Sequence, residues 1–294
     1  MKESRYFELP FLFENFKLGK NIIELQQNKP YIFKDGVVVN ALYGSNGGKL
    51  NGGRYMETFY HNEKEVAKFV YDNGIVPIII MSNLLANEKD VQDKQAAAIL
   101  DTFKGSSTMF CVANGHIEKW LEDEHNINRG QFMLSTTACY NTEELLNNIN
   151  RYKKIVLSES LVNNWQTIAS MPERMRRKLV ICVNSCCPIN CPIRHEHYLH
   201  ISKLNIENNA SIENRFACIN ESYGGRGYLF EIMALPQFVT NDMIDTYVSM
   251  GINHFKIRGR GDRVADLIET MAYYLIRDEY KIEFREECYD AIKI

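Results

Sequence analysis

The sequence predicts an α/β fold, a parallel (β/α)8 barrel of the TIM type with an irregular N-terminal extension. Three observations predict it. From residue 37 onward, short β-rich apolar runs alternate with longer helical segments, the pattern of parallel βα units. Eight such runs occur, the number that closes a barrel, although an open doubly wound sheet has the same local pattern. The chain has 294 residues, and about 250 is typical of one such barrel.

The elements follow in order. Residues 1–36 are aromatic-rich and irregular, with Phe7, Phe11, Phe13 and Phe16 close together, and read as a cap on the body. Residues 37–294 read as a single barrel domain, with no linker or low-complexity tract. The expected strands are Val37–Tyr43, Ile75–Met81, Thr108–Ala113, Gln131–Thr136, Lys154–Ser158, Leu179–Asn184, Tyr228–Ala234 and His254–Arg258. Helices are expected between them, at Glu63–Asn73, Asp90–Lys104, Thr142–Arg151 and Arg263–Arg277. In the last, Val264, Leu267, Ile268, Met271 and Leu275 keep helical spacing. A long insertion, Leu204–Gly227, precedes the seventh run.

Composition narrows the class. Hydrophobic residues make up 45%, enough for a sizeable core, and the net charge of −3 predicts neither nucleic-acid wrapping nor a basic membrane-binding face. No apolar run approaches the roughly 18 residues of a membrane helix. The opening MKESRYFELP lacks the plan of a signal peptide. The expectation is a soluble, cytoplasmic protein. Its eight cysteines are then expected as reduced thiols, and a tight cluster among them suggests metal binding.

In such barrels the chemistry sits on the loops after the strands. The residues expected to converge are Gly44–Arg54, Ser82–Asn83, Asn114, Thr137–Cys139, Glu159, Ser185–Cys191, Leu235–Gln237 and Gly259–Arg260. The densest segment is VNSCCPINCPIRHEHY, residues 183–198. Pro188 and Pro192 each follow a cysteine and stiffen the loop. The spacing of Cys187 and Cys191 lets two thiolates reach one centre, and the remaining ligands of an iron–sulfur cluster can come from distant loops. Zinc is the chemical competitor, with His195 and His197 nearby, but paired CxxC hooks are absent, as is CxxxCxxC. The expected ligands are Cys191, Cys187, Cys218 in the insertion, and Cys139 just beyond the fourth run, with Cys186 and Cys182 as alternates. Cys111, inside a strand, and Cys288, in the tail, read as structural.

Two further segments bear polar candidates. In INHFKIRGRGDR, residues 252–263, His254, Lys256 and Arg258 share one strand face while Phe255 and Ile257 share the other. The basic face is expected to point into the barrel near its mouth, where the following helix N-terminus can also receive an anion. Arg260 and Arg263 read equally well as a solvated basic turn. The loop YGSNGGKLNGGRY, residues 43–55, has five glycines but neither GxxxxGK[ST] nor GxGxxG. It reads as a flexible substrate-side loop with Asn51 and Arg54 as contacts.

These residues resemble a known family. HFKIRGR, residues 254–260, and the helix after it resemble the end of the barrel in peptidase family U-32, whose typical form is SFKIEGR followed by a long helix. LSESL, residues 157–161, resembles that family's LSREL turn after strand five, and the cysteine loop sits where the family places cluster cysteines. The resemblance covers residues 37–280 in patches. Arg258 stands where the family carries glutamate. Some members were described as collagenase-like proteases; others are four-iron barrel proteins that support oxygen-independent hydroxylation of ubiquinone precursors or RNA bases. The resemblance therefore implies a 4Fe-4S redox enzyme acting on a small-molecule or nucleotide-containing substrate, with an electron donor or protein partner. In that reading Lys256, Arg258 and Arg54 hold an anionic group, Glu159 or Glu231 handles protons, and Asn51, Asn184 and Arg260 touch substrate. A zinc or cysteine peptidase, lacking HExxH, and a non-catalytic cluster-bearing partner are the alternatives.

Overall fold

The computed structural model describes residues 3–45, 47–53, 62–208 and 229–293. Its strands, all parallel, close into a barrel in the order β1 to β8. They are β1 Arg5–Leu9, β2 Val37–Gly44, β3 Val76–Met81, β4 Met109–Val112, β5 Phe132–Leu134, β6 Lys154–Val156, β7 Leu179–Cys182 and β8 His254–Lys256. The outer helices are α1 Phe16–Asn28, α2 Glu63–Asp72, α3 Lys94–Thr102, α4 Gly115–Asp123, α5 Thr142–Asn148, α6 Trp165–Ser170 and α7 Glu173–Arg176. Between β7 and β8 lie α8 Arg194–Glu207, α9 Leu229–Met233 and α10 Asn241–Ser249; α11 Val264–Leu275 and α12 Lys281–Ile292 finish the ring.

Two expectations are corrected. The first 36 residues are not a cap, because Arg5–Leu9 forms β1 and pairs with both β2 and β8 to close the barrel. Phe7 and Leu9 face the helices, while Tyr6 stacks on His254 of β8 at 5.2 Å and Glu8 is buried opposite Lys256. Glu8 breaks the apolar run that would mark a strand, yet the barrel interior accepts it because a lysine lies beside it. Conversely, the expected seventh strand, Tyr228–Ala234, is helical over Leu229–Met233. Ile232 is buried there whereas Phe230 is 70% exposed, a one-sided pattern that suits a short surface helix.

The pleat sorts side chains between two cores. Phe110, Phe132, Leu134, Ile155, Leu179, Ile181 and Phe255 pack outward under the helices. Ala41, Tyr43, Ile78, Ile80, Cys111, Met133, Val156 and Val180 fill the barrel. In β2, Val39 faces outward and Ala41 inward, although they are two residues apart. A bulge explains this: Phe7 pairs with Val39 but Glu8 with Ala41, so Asn40 is the extra residue and the facing inverts. The basic strand β8 behaves as its pattern predicts, with Phe255 and Ile257 in the outer shell and Lys256 inside.

Candidate functional site at the barrel mouth

The C-terminal ends of the strands carry the polar groups. Deepest is Lys256, whose Nζ lies 3.9 Å from Glu8 Oε2 and 3.5 Å from the Tyr43 ring centroid. Tyr43 in turn donates its hydroxyl to the Ile257 carbonyl at 2.9 Å. Burial raises the Glu8 pKa, with Lys256 and then Lys154 pulling the other way. Lys256, expected as a catalytic cation, therefore has two interior partners one layer below the mouth. Glu8 escaped the sequence reading because its strand did.

One step higher, the Asn184 amide continues the pairing of β7 with β8. Its Nδ2 donates to the Arg258 carbonyl at 3.0 Å, and its Oδ1 accepts from the Arg258 N–H at 2.7 Å. Asn184, expected to touch substrate, spends both polar ends on backbone. The Arg258 guanidinium pairs with Asp262 at 3.4 Å. Burial is the largest influence on Arg258 and opposes its charge, but Cys186, Asp262, Cys187 and Cys182 outweigh it and raise its pKa. Arg258 is thus a cation that feels the charge of the cysteine loop.

The loop after β7 holds the thiols. Cys182 points into the barrel beside Lys256, as its parity with Asn184 predicts, and burial pushes its thiol up to about 12. Cys186 and Cys187 are half-buried neighbours on this loop. The adjoining Cys186 thiol first, and burial second, raise the Cys187 pKa. Gln237 holds this loop, donating to the Cys187 carbonyl at 2.7 Å and the Ser185 carbonyl at 3.3 Å. Asn190 takes a left-handed φ of 55° at the turn before Cys191, a conformation asparagine tolerates better than most residues. Cys191 is half-buried on the same loop.

Of the other expected ligands, Cys139 does not join them. Cys139 is fully buried in the outer hydrophobic shell, where burial pushes its thiol up to about 12. Cys218 and Arg54 lie outside the described residues. Among the described residues, no three His, Cys, Asp or Glu side chains form a group that could hold a metal ion. The donor set therefore fits a thiophilic centre only in part: Cys186, Cys187 and Cys191 share one loop, and Cys139 is sequestered. Cys111 fills the barrel and Cys288 the outer core, in line with structural roles.

A second cluster adjoins the thiols. Glu159, after β6, accepts a hydrogen bond from Ser185 Oγ and forms a buried ion pair with Arg194 Nη2 at the start of α8. Arg194 Nη2 also lies 3.2 Å from Thr136 Oγ1. The Tyr140 and Tyr198 rings flank this guanidinium, at 5.8 and 5.6 Å from Cζ. His195 meets Tyr140 edge-on and His197 stacks on Tyr198, so neither ring is turned toward a shared metal group with the cysteines. At its far end α8 reaches the opposite rim. Asn83 donates to the Ser202 carbonyl at 2.9 Å, and Asn51 Nδ2 donates to Asn205 Oδ1 at 3.1 Å. Arg260 Nη1 lies 3.5 Å from Asn51 Oδ1, so these two expected substrate contacts meet each other. At about 1.5 Å per residue, the fourteen residues of α8 span the mouth. Glu231 lies on α9.

The fold and the mouth define a parallel barrel with a thiol-bearing loop and a helix laid across its open end. No protein-family model matches the chain, and no curated protein matches it. Among solved structures it is similar to the U32 peptidase Mk0906, with a TM-score of 0.52 and 13% sequence identity over 88% of this chain and 94% of that one. That likeness agrees with the family resemblance of the FKIRGR and LSESL segments and, at this identity, bears on the fold. Among the described residues, no helix is long and apolar enough to cross a membrane.

Proposed function

We propose that this chain is a redox barrel protein that holds an iron–sulfur cluster at the cysteine loop and modifies a small-molecule or nucleotide-containing substrate at the barrel mouth, by chemistry of the oxygen-independent hydroxylation type. The observation that carries the reading is the loop after β7, which holds Cys186, Cys187 and Cys191 together, all half-buried free thiols at the barrel mouth. Cys186, Cys187 and Cys191 would hold the metal centre, with Cys218 as the remaining ligand available in the sequence. When bound, such a cluster supplies one-electron transfer.

The chain's own groups do the rest. Arg258 places positive charge against the thiolates, which favours their ionised form. Gln237 and Ser185 fix the loop backbone. Glu159, held by Ser185 and Arg194, is the carboxylate nearest the loop and the candidate for moving a proton. An electron donor must dock for turnover, and free thiols suit a reducing compartment such as the cytoplasm.

A hydrolase, as the word peptidase in the similar structure suggests, needs an activated nucleophile. Cys187 points the other way, its pKa raised by Cys186 and burial. The test is anaerobic purification with a visible spectrum and iron, sulfide and zinc analysis. About four irons per chain, the content of the larger cluster type, is the expected result. Stoichiometric zinc in a colourless protein would sink the reading. Cys191→Ala should empty the site; retained iron would remove Cys191 from the ligands.

A further inference from the structure

Arg194 is a fixed charge with donors to spare. Its side chain is 7% exposed. Nη2 serves Glu159 and Thr136, but Nε and Nη1 are buried with no hydrogen-bond partner among the described residues. The Tyr140 hydroxyl, on the ring flanking this guanidinium, is buried and unpartnered as well. More than nine in ten buried polar groups in native proteins are satisfied, and a guanidinium cannot shed its protons to escape the cost. The donors therefore call for an acceptor.

We infer that the mouth contains an acceptor subsite for a small carboxylate, bounded by Arg194 and the rings of Tyr140 and Tyr198, beside Cys187. The chemistry selects the class. Arginine offers donors only, a carboxylate offers acceptors only, and the phenol supplies a further donor. Glu159 already neutralises the net charge of Arg194, so attraction comes from directed hydrogen bonds more than from field strength. That disfavours the more highly charged phosphate. The two aromatic walls exclude water from the contact and suit a planar ligand. The subsite stands on Arg194 and Tyr140, whether or not the cysteine loop holds a metal.

Calorimetric titration of the full-length protein with benzoate, and separately with inorganic phosphate at matched ionic strength, tests the assignment. Benzoate should bind the wild type, and phosphate should not compete with it. Arg194→Lys keeps a cation for Glu159 but removes Nε and Nη1, and should weaken benzoate about tenfold or more. Tyr140→Phe leaves the ion pair intact and should weaken it about threefold or more, a readout that survives if the arginine variant fails to fold. Absence of benzoate binding, equal affinity in Tyr140→Phe and wild type, or tighter binding of phosphate would each overturn the assignment. So would a high-resolution structure in benzoate showing ordered water only at the Arg194 donors. Metal analysis of the same samples separates the two readings, because a colourless protein that binds benzoate overturns the cluster and leaves the subsite.

Discussion

The Glu8–Lys256 and Glu159–Arg194 pairs are both buried in this barrel, and they differ in what surrounds them. Inside, Glu8 and Lys256 come from adjacent strands, β1 and β8, and the lysine rests on the Tyr43 ring. At the mouth, Glu159 and Arg194 come from a loop and a cross-lying helix, and the arginine keeps unused donors. The interior pair occupies positions that neighbouring barrel residues fill with Ala41, Cys111 and Met133. It substitutes for packing. The mouth pair ties α8 to the β6 loop and sets the wall of the thiol loop through Ser185. Equal burial thus serves two ends: strand register below and site geometry above.

The sharpest way to break the comparison is to remove one cation. Lys256→Met leaves the Glu8 carboxylate buried without its nearest partner, and should cost about 3–5 kcal/mol in urea unfolding. The double variant Glu8→Gln with Lys256→Met should recover most of that, since neutral groups of similar volume replace an ion pair at little cost. A double variant as unstable as the single would show that the pair is not energetically linked. Glu159→Gln at the mouth should cost less, about 2 kcal/mol, because the glutamine carbonyl can still accept from Arg194 and Arg194 keeps Thr136. Its effect should be local. Limited proteolysis within 183–198 should accelerate in Glu159→Gln, whereas Lys256→Met should loosen the whole barrel.

The same contrast explains what could be read from the sequence. Six strands were legible because their outward and inward faces are both largely apolar, and β8 because Phe255 and Ile257 alternate with its polar inward residues. The eighth, Arg5–Leu9, was hidden by Glu8, whose partner Lys256 lies 248 residues further along and is invisible to local pattern. Leu229–Met233 imitated a strand because five mostly apolar residues have no period long enough to separate strand from helix. At the mouth, strand parity placed Cys182, Lys256 and Arg258 correctly, since parity continues along a strand. It gave no purchase on loops: Cys139 turned into the outer shell just past the short helical turn at Thr136–Ala138. Arg194, Tyr140 and Gln237 acquire their roles only through contacts that the fold assembles.

A pH experiment separates the two levels without touching the mouth. His254 stacks on Tyr6 at the interior base of β8, and burial, with Lys154 adding to it, lowers its pKa from the usual 6.5 to about 3. Between those values the unfolded chain binds a proton that the folded chain refuses, so stability is lost as pH falls through 6.5 and continues to fall toward 3. From pH 7 to pH 5 this one group should remove about 2 kcal/mol. Glu8 contributes with the opposite sign, since its raised pKa means the folded state takes up a proton first. The useful quantity is therefore the difference between His254→Asn and wild type, and the variant's stability should decline less from pH 7 to pH 5. Parallel pH curves for the two proteins would mean that His254 is not held neutral.

The smallest expected effect bears most directly on the thiol loop. Gln237→Leu removes the donors to the Cys187 and Ser185 carbonyls, but it also removes the buried Oε1 that has no partner of its own among the described residues. These changes oppose each other, so global stability should fall by only about 1 kcal/mol. The loop should respond far more. With the Cys187 carbonyl released, Cys187 can move away from the Cys186 thiol and the burial that raise its pKa, and its thiolate becomes more available. Iodoacetamide labelling at pH 7.5, read by peptide mass, should therefore speed up at Cys187 while fully buried Cys139 and Cys288 stay unlabelled. Unchanged labelling at Cys187 alongside a stability loss of 3 kcal/mol or more, the scale of a buried-core defect, would make Gln237 a core residue rather than the clamp of the mouth.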